Sequence, residues 1–300
     1  MTFDKINPVM KMEIQTLKYF LETAKVENIT KAANILHTSQ PSLSKHIKNL
    51  EESLGKKLFV RGSKNVTLTE EGFLLKQRAE EILSLVEKTE REFKSLDEIV
   101  GGDIYIGCAE SDGFKFFVRA LKEVQKKYPQ LRCHLYSSDS DSVTDKLERG
   151  ILDFAIITHG NINLQKYNYA TLPIKNLWGL IIRKDSPLAE KKEITREDLL
   201  QIPIICSRQG LVEELSDWFG KGIDKLKLVA TYDMVFNASI MVRENFGCVL
   251  GYEKIVYTGD AGDLCFRPLA PKKESPMHII WKKNKVFTPV AENLIHCLSD

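Results

Sequence analysis

The apolar positions of the first seventy residues repeat with the period of amphipathic helices. One helix face is formed by Leu17, Phe20, Leu21 and Ala24. A second, short helix is predicted from Thr30, a good N-cap residue, and a third from Ser39, with Pro41 in its first turn. The buried stripe of the third helix is formed by Leu43, Ile47, Leu50 and Leu54. Gly55 ends this helix, because glycine accepts the left-handed conformation that follows a last turn.

Two short apolar segments follow these helices. Residues 58–61 and 66–68 each read as a strand, and the basic tip between them contains Lys64. Two short helices joined by a tight turn, followed by such a hairpin, are typical of a winged helix-turn-helix. We therefore predict a DNA-binding domain over residues 1–69.

The exposed face of the predicted third helix is polar and basic. It carries Gln40, Ser42, Ser44, Lys45, His46, Lys48 and Asn49. Lysine, glutamine and asparagine side chains hydrogen-bond base edges, and serine hydroxyls suit phosphates. Residues 12–69 contain nine basic and five acidic residues, which favours a polyanionic partner. A solvated three-helix module that binds another protein is the alternative.

Residues 70–98 predict one long helix. Its apolar positions recur every four and three residues, at Leu75, Ala79, Ile82, Val86, Thr89, Phe93 and Leu96. A sustained seven-residue repeat favours a coiled-coil seam with a second helix. A helix that packs on its own domain is the alternative.

From residue 101 the pattern changes to short apolar strands that alternate with helices. Strands are predicted at 103–108, 131–136, 151–158, 178–183, 203–206, 227–230, 248–251, 263–267 and 277–281. Helices are predicted at 113–127, 142–149, 195–200, 211–219, 234–244 and from about 288. This alternation predicts an α/β domain with parallel strands. Two lobes are expected, one formed by 101–159 and 267–300 and the other by 160–266, with a ligand cleft between them.

Composition and motifs exclude several classes of protein. No run of about 18 apolar residues is present and the first residues lack a signal-peptide core, so we expect a cytoplasmic protein without a membrane span. The six cysteines form no CxxC pair and the six histidines no metal-ligand spacing, so we expect no metal and no cofactor. A redox role for Cys108 or Cys206 stays open. The sequence contains no nucleophile elbow, HExxH, Walker or dinucleotide-binding motif, so no enzymatic activity is expected.

The predicted DNA-binding segment carries a motif that begins with the string from Thr30 to Ala33, Leu36, and the string from Ser39 to Ser44. The motif continues at Ile47, Leu50, Glu51, Leu54, Gly55, Leu58, Phe59, Arg61, Leu68, Thr69 and Gly72. With these residues the segment resembles the LysR-type transcriptional regulators. The match begins near Met12, so residues 1–11 precede it.

The resemblance implies that the third helix enters the major groove and that the wing reaches the flanking groove. DNA contacts are then expected from Thr30, Ser39, Gln40, Pro41, Ser42, Ser44, Lys45, His46, Lys48, Arg61 and Lys64. Many members have arginine where Lys45 stands, and lysine grips guanine less well, so the base preference at this position differs. The long helix is the dimer-forming linker in this family, with Leu75, Ala79, Ile82, Val86 and Phe93 at the interface.

The second half resembles the family's effector domain, itself similar to periplasmic solute-binding proteins. By position, effector contacts are expected from Ala109, Glu110, Ser111, Asp112, Ser138, Asp139, Ser140, Thr158, Ser207, Arg208, Gln209, Phe236 and Tyr252. Several of these residues precede helices, whose N-termini favour anions, and Arg208 is placed to clamp a carboxylate. The acidic side chains in the same set oppose a strongly anionic ligand. Alternatively, the serine and aspartate residues are only helix caps.

These observations predict a sequence-specific transcriptional regulator controlled by a small-molecule effector. The expected partners are a double-stranded operator with partial two-fold symmetry, a second copy of the chain in a homodimer or homotetramer, and RNA polymerase. A solute-binding module or an enzyme joined to a helix-turn-helix adaptor are the alternatives.

Overall fold

A computed structural model describes residues 12–62, 65–96, 101–158 and 162–299. The chain divides into two compact units, one up to Arg91 and one from Glu92. Lys64, residues 1–11 and the predicted crossing at residues 159–160 lie outside the described residues.

Three helices form the core of the first unit, as the apolar spacing predicts. They are α1 (Ile14–Val26), α2 (Ile29–Ile35) and α3 (Gln40–Leu54). Their fully buried contacts include Leu17, Phe20, Ala33, Leu43 and Ile47. The small side chain of Ala33 is buried in this core and lets α2 lie close to its neighbours.

The cap of α2 differs from the prediction. Asn28, not Thr30, precedes the helix, and its side-chain oxygen accepts a hydrogen bond from the Lys31 amide at 2.9 Å. Thr30 lies inside the helix and is exposed. The caps of α3 are as predicted: Ser39 accepts from the Ser42 amide at 3.3 Å, and Gly55 ends the helix with a φ of 64°.

The wing is a two-stranded antiparallel hairpin. Strand β1 (Phe59–Arg61) pairs with β2 (Val66–Leu68), and Arg61 lies opposite Val66. The backbone amide of Val66 also donates to the carbonyl of Glu27 at 2.9 Å, at the end of α1. The wing is therefore fastened to the helical core on one side.

Helix α4 spans Glu70–Leu96, and Thr69 caps it by accepting from the Gly72 amide at 3.0 Å. The prediction of an intermolecular seam is wrong for Leu75 and Ala79. Both side chains are buried against the helix-turn-helix core of their own chain, so no partner helix reaches them. The first turns of α4 therefore belong to the DNA-binding unit.

The second unit begins with a parallel sheet. Its first elements are β3 (Gly101–Cys108), α5 (Phe114–Lys127), β4 (Gln130–Ser137), α6 (Ser140–Glu148) and β5 (Phe154–Ile157). Strand β3 pairs in parallel with both β4 and β5, which confirms the predicted strand–helix alternation.

The remaining elements complete a second lobe and return to the first. They are β6 (Tyr167–Arg183), α7 (Arg196–Leu200), β7 (Pro203–Ser207), α8 (Ser216–Phe219), β8 (Lys227–Tyr232), α9 (Val235–Arg243), β9 (Cys248–Tyr252), β10 (Leu264–Pro268), β11 (Glu274–Lys282) and α10 (Pro289–Ser299). The predicted single helix at 211–219 is wrong: a π turn at Gly210–Glu214 precedes α8, and a 3₁₀ turn at Gly220–Lys225 follows it.

One long strand belongs to both lobes, and this changes the predicted lobe limits. The first part of β6, up to Leu177, pairs with β11 of the first lobe. Its last part, from Trp178, pairs with β9 and β10 of the second lobe. The first crossing therefore lies at Leu177–Trp178. The return crossing follows Pro268, which still pairs with Gly179 in the second lobe, so the lobe limit predicted between residues 266 and 267 is also wrong.

Each lobe has its own apolar core. Phe117, Phe154 and Met277 are buried in the first, and Leu180, Ile204 and Leu250 in the second. Within the described ranges, no helix is both long and apolar enough to cross a bilayer. No group of His, Cys, Asp or Glu with metal-binding geometry occurs in the same ranges.

Candidate DNA-binding surface and effector cleft

Helix α3 divides into a buried and an exposed face. Leu43, Ile47 and Leu50 are buried, and Lys45 and Lys48 are exposed on the other side. The helical repeat of 3.6 residues makes this separation, because positions three and four apart share a face. A row of polar and cationic groups therefore points away from the core.

Local contacts orient part of this row. The Gln40 amide nitrogen donates to the Ser44 hydroxyl at 2.9 Å, one helical turn away. Lys48 forms an exposed ion pair with Glu52 at 3.5 Å. Such a surface pair is weak, so it leaves Lys48 available to an anion of higher charge density.

His46 differs from the expected surface residue. Its ring packs edge-on against Tyr19 of α1, with the ring centroids 5.1 Å apart, and the residue is half-buried. Thr30, Pro41 and Arg61 are exposed, as a DNA contact requires, and Ser42 is half-buried. Ser39 is exposed as well, although its hydroxyl is engaged as the cap of α3.

Glu51 connects α3 to the wing, and sequence reasoning did not single out this role. Its buried carboxylate accepts from the backbone amides of Leu58 at 2.9 Å and Phe59 at 3.3 Å. The Lys57 ammonium lies 2.9 Å from the other oxygen. Burial raises the pKa of Glu51, but the bonds from Lys57, Leu58 and Phe59 outweigh it and hold the pKa below its ordinary value.

The later turns of α4 expose apolar side chains. Ile82 and Phe93, two of the predicted dimer residues, are exposed, and Val86 is half-buried. Leu85 is exposed too, as are Phe73 and Leu74 nearer the start of the helix. These three were missed because they fall outside the seven-residue repeat.

The cleft between the lobes contains a small cavity, here called the chamber, of about 60 Å³. The first lobe contributes Ala109, Glu110, Asp139 and Thr158 to its lining. The second contributes Ser207, Gln209, Glu214, Tyr232, Asp233, Val235, Gly251, Tyr252 and Ile255, and Trp178 lies at the crossing. Seven of the thirteen predicted effector contacts line the chamber. They are Ala109, Glu110, Asp139 and Thr158 in the first lobe and Ser207, Gln209 and Tyr252 in the second.

Two open cavities adjoin the chamber. One, of about 240 Å³, is lined by Ser111, Asp112 and Lys254 together with Ala109 and Glu110 of the chamber. The other, of about 440 Å³, is lined by Asp141 and Arg208 together with Asp139, Gln209 and Asp233 of the chamber. Because these residues are shared, the three spaces form one cleft with a narrow centre.

Several hydrogen bonds cross from one lobe to the other at the chamber. The Glu110 carboxylate accepts from the Val235 amide, the first residue of α9. The Gln209 side-chain oxygen accepts from the Ser140 amide, the first residue of α6, at 2.9 Å. The Thr158 hydroxyl lies 3.5 Å from Glu214. The lobes are therefore held together by their own polar groups.

Glu214 is the most buried carboxylate of the chamber, and sequence reasoning missed it. The Tyr252 hydroxyl lies 2.7 and 2.8 Å from its two oxygens, and burial raises the pKa of that phenol. The rings of Tyr252 and Trp178 meet edge to face, with centroids 4.6 Å apart. Glu214 lies in the π turn, where the assumption of a regular helix misjudged which side chains point inward.

The other predicted effector residues lie outside the chamber. Phe236 is wrong as a cleft residue: its side chain is 66 % exposed, and the preceding Val235 lines the chamber instead. Arg208 does not reach the chamber, since its guanidinium pairs with Asp233 at 2.7 Å in the outer cavity. Ser140 takes part through its backbone amide, and the amide of Ser138 donates to the carbonyl of Cys108.

Two buried thiols adjoin this region. Burial, together with the Glu110 charge, raises the pKa of Cys108 to about 12. Burial also raises the pKa of Cys206. Because the thiolate is the reactive form, neither environment favours oxidation at neutral pH.

Comparisons with known proteins agree with this architecture. The family description "LysR substrate binding domain" matches residues 99–300, and "Bacterial regulatory helix-turn-helix protein, lysR family" matches residues 14–73. The chain belongs to the LysR family of DNA-binding transcriptional regulators. It combines the family's helix-turn-helix with its effector-binding domain.

Individual relatives extend over most of the chain. The HTH-type transcriptional regulator YtlI of Bacillus subtilis is 31% identical over 79% of this chain and 76% of its own length. The Hca operon transcriptional activator HcaR of Escherichia coli is 29% identical over 92% of this chain and 93% of its own. The crystal structure of full-length CbnR complexed with its target DNA covers 96% of this chain and 99% of its own. Its TM-score of 0.74 at 17% identity shows a shared fold.

Proposed function

We propose that the activity of this regulator is set by a small molecule that binds between the two lobes of residues 101–300. The observation that carries the proposal is the chamber, whose lining comes from both lobes and whose walls are joined by hydrogen bonds across the cleft. A ligand that replaces these bonds has different affinities for the open and closed arrangements. It therefore shifts the equilibrium between them.

The proposed DNA contacts come from α3 and the wing. Gln40, Ser44, Lys45 and Lys48 read bases or phosphates in the major groove, and Arg61 contacts the backbone beside the wing. Thr30, Ser39, Pro41, Ser42, His46 and Lys64 complete the proposed surface. Of these, His46 contributes mainly by packing, since its ring is engaged with Tyr19.

A homodimer is proposed because half-sites related by two-fold symmetry need two recognition helices. The apolar surface of α4 that its own unit leaves uncovered, at Ile82, Leu85 and Phe93, is the proposed contact, with Val86 at its edge. Two dimers forming a tetramer and a contact with RNA polymerase complete the proposal, in the cytoplasm where the operator is found. The proposed function includes no catalytic reaction.

A binding experiment tests the DNA surface. Duplex DNA is first selected from a random library by the full-length protein, and affinity is then measured by gel shift over a range of salt concentrations. Replacing Lys45 and Lys48 by alanine is expected to weaken binding at least tenfold and to reduce the salt dependence by about one unit of log–log slope per lysine.

The matched control is the double alanine variant of Lys122 and Lys127, two exposed lysines on α5 in the second unit. It removes the same charge from the chain and is expected to leave affinity and slope near wild type. Equal losses in both variants would refute the assignment of the α3 face.

A further inference from the structure

Two helices that begin at the cleft, α6 and α9, already have an acceptor at their first amide. Glu110 of the first lobe accepts from Val235 at the start of α9, and Gln209 of the second lobe accepts from Ser140 at the start of α6. Helix N-termini are the usual places where a protein receives a carboxylate or phosphate, because their amides have no partner within the helix. In this chain, side-chain oxygens from the opposite lobe fill both places.

The charge around the cleft also opposes an anion. The described lining of the chamber contains four carboxylates, Glu110, Asp139, Glu214 and Asp233, and no lysine or arginine. The two outer cavities add Asp112 and Asp141 against Lys254 and Arg208, and Arg208 is already paired with Asp233. Unlike charges attract more strongly between low-dielectric protein walls than in bulk water. The negative charge of the cleft therefore attracts a cationic ligand and repels an anionic one.

Aromatic side chains complete the chamber. Trp178, Tyr232 and Tyr252 line it beside Glu214. Ring faces attract ammonium groups, and desolvation inside a cavity strengthens this attraction. The size of the chamber suits a compact charged group, and the adjoining outer cavities leave room for the rest of a larger molecule.

We propose that the effector is a small organic cation whose ammonium group enters the chamber, and that Glu110 is the residue that excludes carboxylate effectors by occupying the N-terminus of α9. This inference rests on the proposed function, since it names the ligand class of the same cleft. The expected ligand class is an amine, and Glu110 is a specificity-determining residue.

The test uses the full-length protein and two series of probes with comparable carbon chains. Methylammonium, 1-aminobutane and 1,4-diaminobutane are compared with acetate, butyrate and succinate at equal ionic strength. Thermal unfolding and tryptophan fluorescence are recorded, because Trp178 lies in the chamber wall. At least one amine is expected to raise the Tm by about 2–4 °C, and no carboxylate is expected to do so.

Variants of Glu110 test its role. In Glu110→Ala the α9 amide loses its acceptor, so succinate or butyrate is expected to become stabilising and the amine effect to shrink. Glu110→Gln retains the acceptor but not the charge, so it is expected to weaken the amine effect without any gain for carboxylates. Glu123→Ala is the matched control: it removes an exposed carboxylate on α5 that pairs with Lys126 and lines none of the three cavities, and it is expected to behave like wild type.

Three results would overturn the inference: a carboxylate that stabilises the wild type as well as the amines do, no response to any amine, or no gain for carboxylates in a folded Glu110→Ala. Gel shifts with selected DNA on the same preparations separate this failure from a failure of the proposed function. A carboxylate that raises the Tm and changes DNA affinity would keep the effector cleft and reject only the ligand class. Intact DNA binding with no response to any probe would reject the cation and leave the DNA-binding function standing.

Discussion

Glu51 shows how a single carboxylate can join a recognition helix to a wing. It is 4 % exposed and accepts two backbone amides that begin the hairpin. Removing one partner of a buried hydrogen bond leaves the other unsatisfied, which costs about 1–3 kcal/mol. Its position within α3 therefore matters for the wing more than for the helix itself.

Replacing Glu51 by glutamine is expected to lower the free energy of unfolding by about 1–3 kcal/mol. The glutamine side chain has a single acceptor oxygen, which cannot serve both the Leu58 and Phe59 backbone amides and the Lys57 ammonium. The pKa of Glu51 is lowered in the folded state from an ordinary 4.5, so its contribution is complete above that pH. This stabilising contribution is lost as the pH falls through the lower pKa that Glu51 has in the folded state. Denaturant unfolding at pH 7 and through the acid range measures both effects.

Glu52→Gln is the matched control for this prediction. Its carboxylate is exposed and pairs only with Lys48 among the described ion pairs, so the variant is expected to remain within about 0.5 kcal/mol of wild type. An equal loss in Glu52→Gln, or an unchanged acid response in Glu51→Gln, would contradict the assignment.

At the residue scale, the sequence predicted the type of residue that caps a helix more reliably than it distinguished between two suitable residues close together. Ser39 was located because Pro41 marks the first turn of α3, and Gly55 because it is the glycine that follows the last apolar position of the helix. Asn28 and Thr30 are both good caps two positions apart, and propensity alone does not separate them. The backbone geometry decides, since Asn28 is extended and its oxygen reaches the Lys31 amide.

At the element scale, α4 serves two purposes along its length. Leu75 and Ala79 complete the core of the first unit, and Ile82, Leu85 and Phe93 remain exposed. A seven-residue repeat predicts an apolar stripe but not which surface covers it. The alternative of a helix packed on its own domain is therefore correct for the first turns.

A pair of variants separates the two parts of α4. Leu75→Ala is expected to destabilise the protein by about 2–5 kcal/mol through a core cavity and to leave the oligomeric state unchanged. Ile82→Lys combined with Leu85→Lys places charges on the exposed surface, so it is expected to yield folded monomers. Sedimentation velocity at micromolar concentration and denaturant unfolding measure these outcomes. Dimers that persist in the double lysine variant would refute the proposed contact.

Strand β6 and the turn before α8 show why other elements were misjudged. The first half of β6 contains Pro173, and its buried positions do not recur every second residue, so its strand signal is weak and its pairing with β11 decides the conformation. The π turn at Gly210–Glu214 has the same apolar spacing as an ordinary helix but inserts one residue per turn. Both departures affect the cleft, because they position Trp178 and Glu214.

At the scale of the whole second unit, the bonds across the cleft should control its opening. Gln209→Ala removes the acceptor of the Ser140 amide, so that amide is expected to exchange with solvent about five to ten times faster. Hydrogen exchange followed by mass spectrometry over the start of α6 measures the change. Gln201→Ala, an exposed glutamine at the end of α7, is the control. Unchanged exchange in Gln209→Ala would contradict a closing role for this bond.

The continuous backbone of β6 limits how the lobes move. Strand β6 has seventeen residues and takes part in the sheets of both lobes, so it connects them stiffly. The second connection between the lobes is the short segment after Pro268. A connection by a continuous strand resists sliding and separation but yields to torsion about its own axis. Binding of an effector in this cleft would therefore rotate one lobe slightly relative to the other. Its effect outside the cleft would be a change in the angle between the lobes.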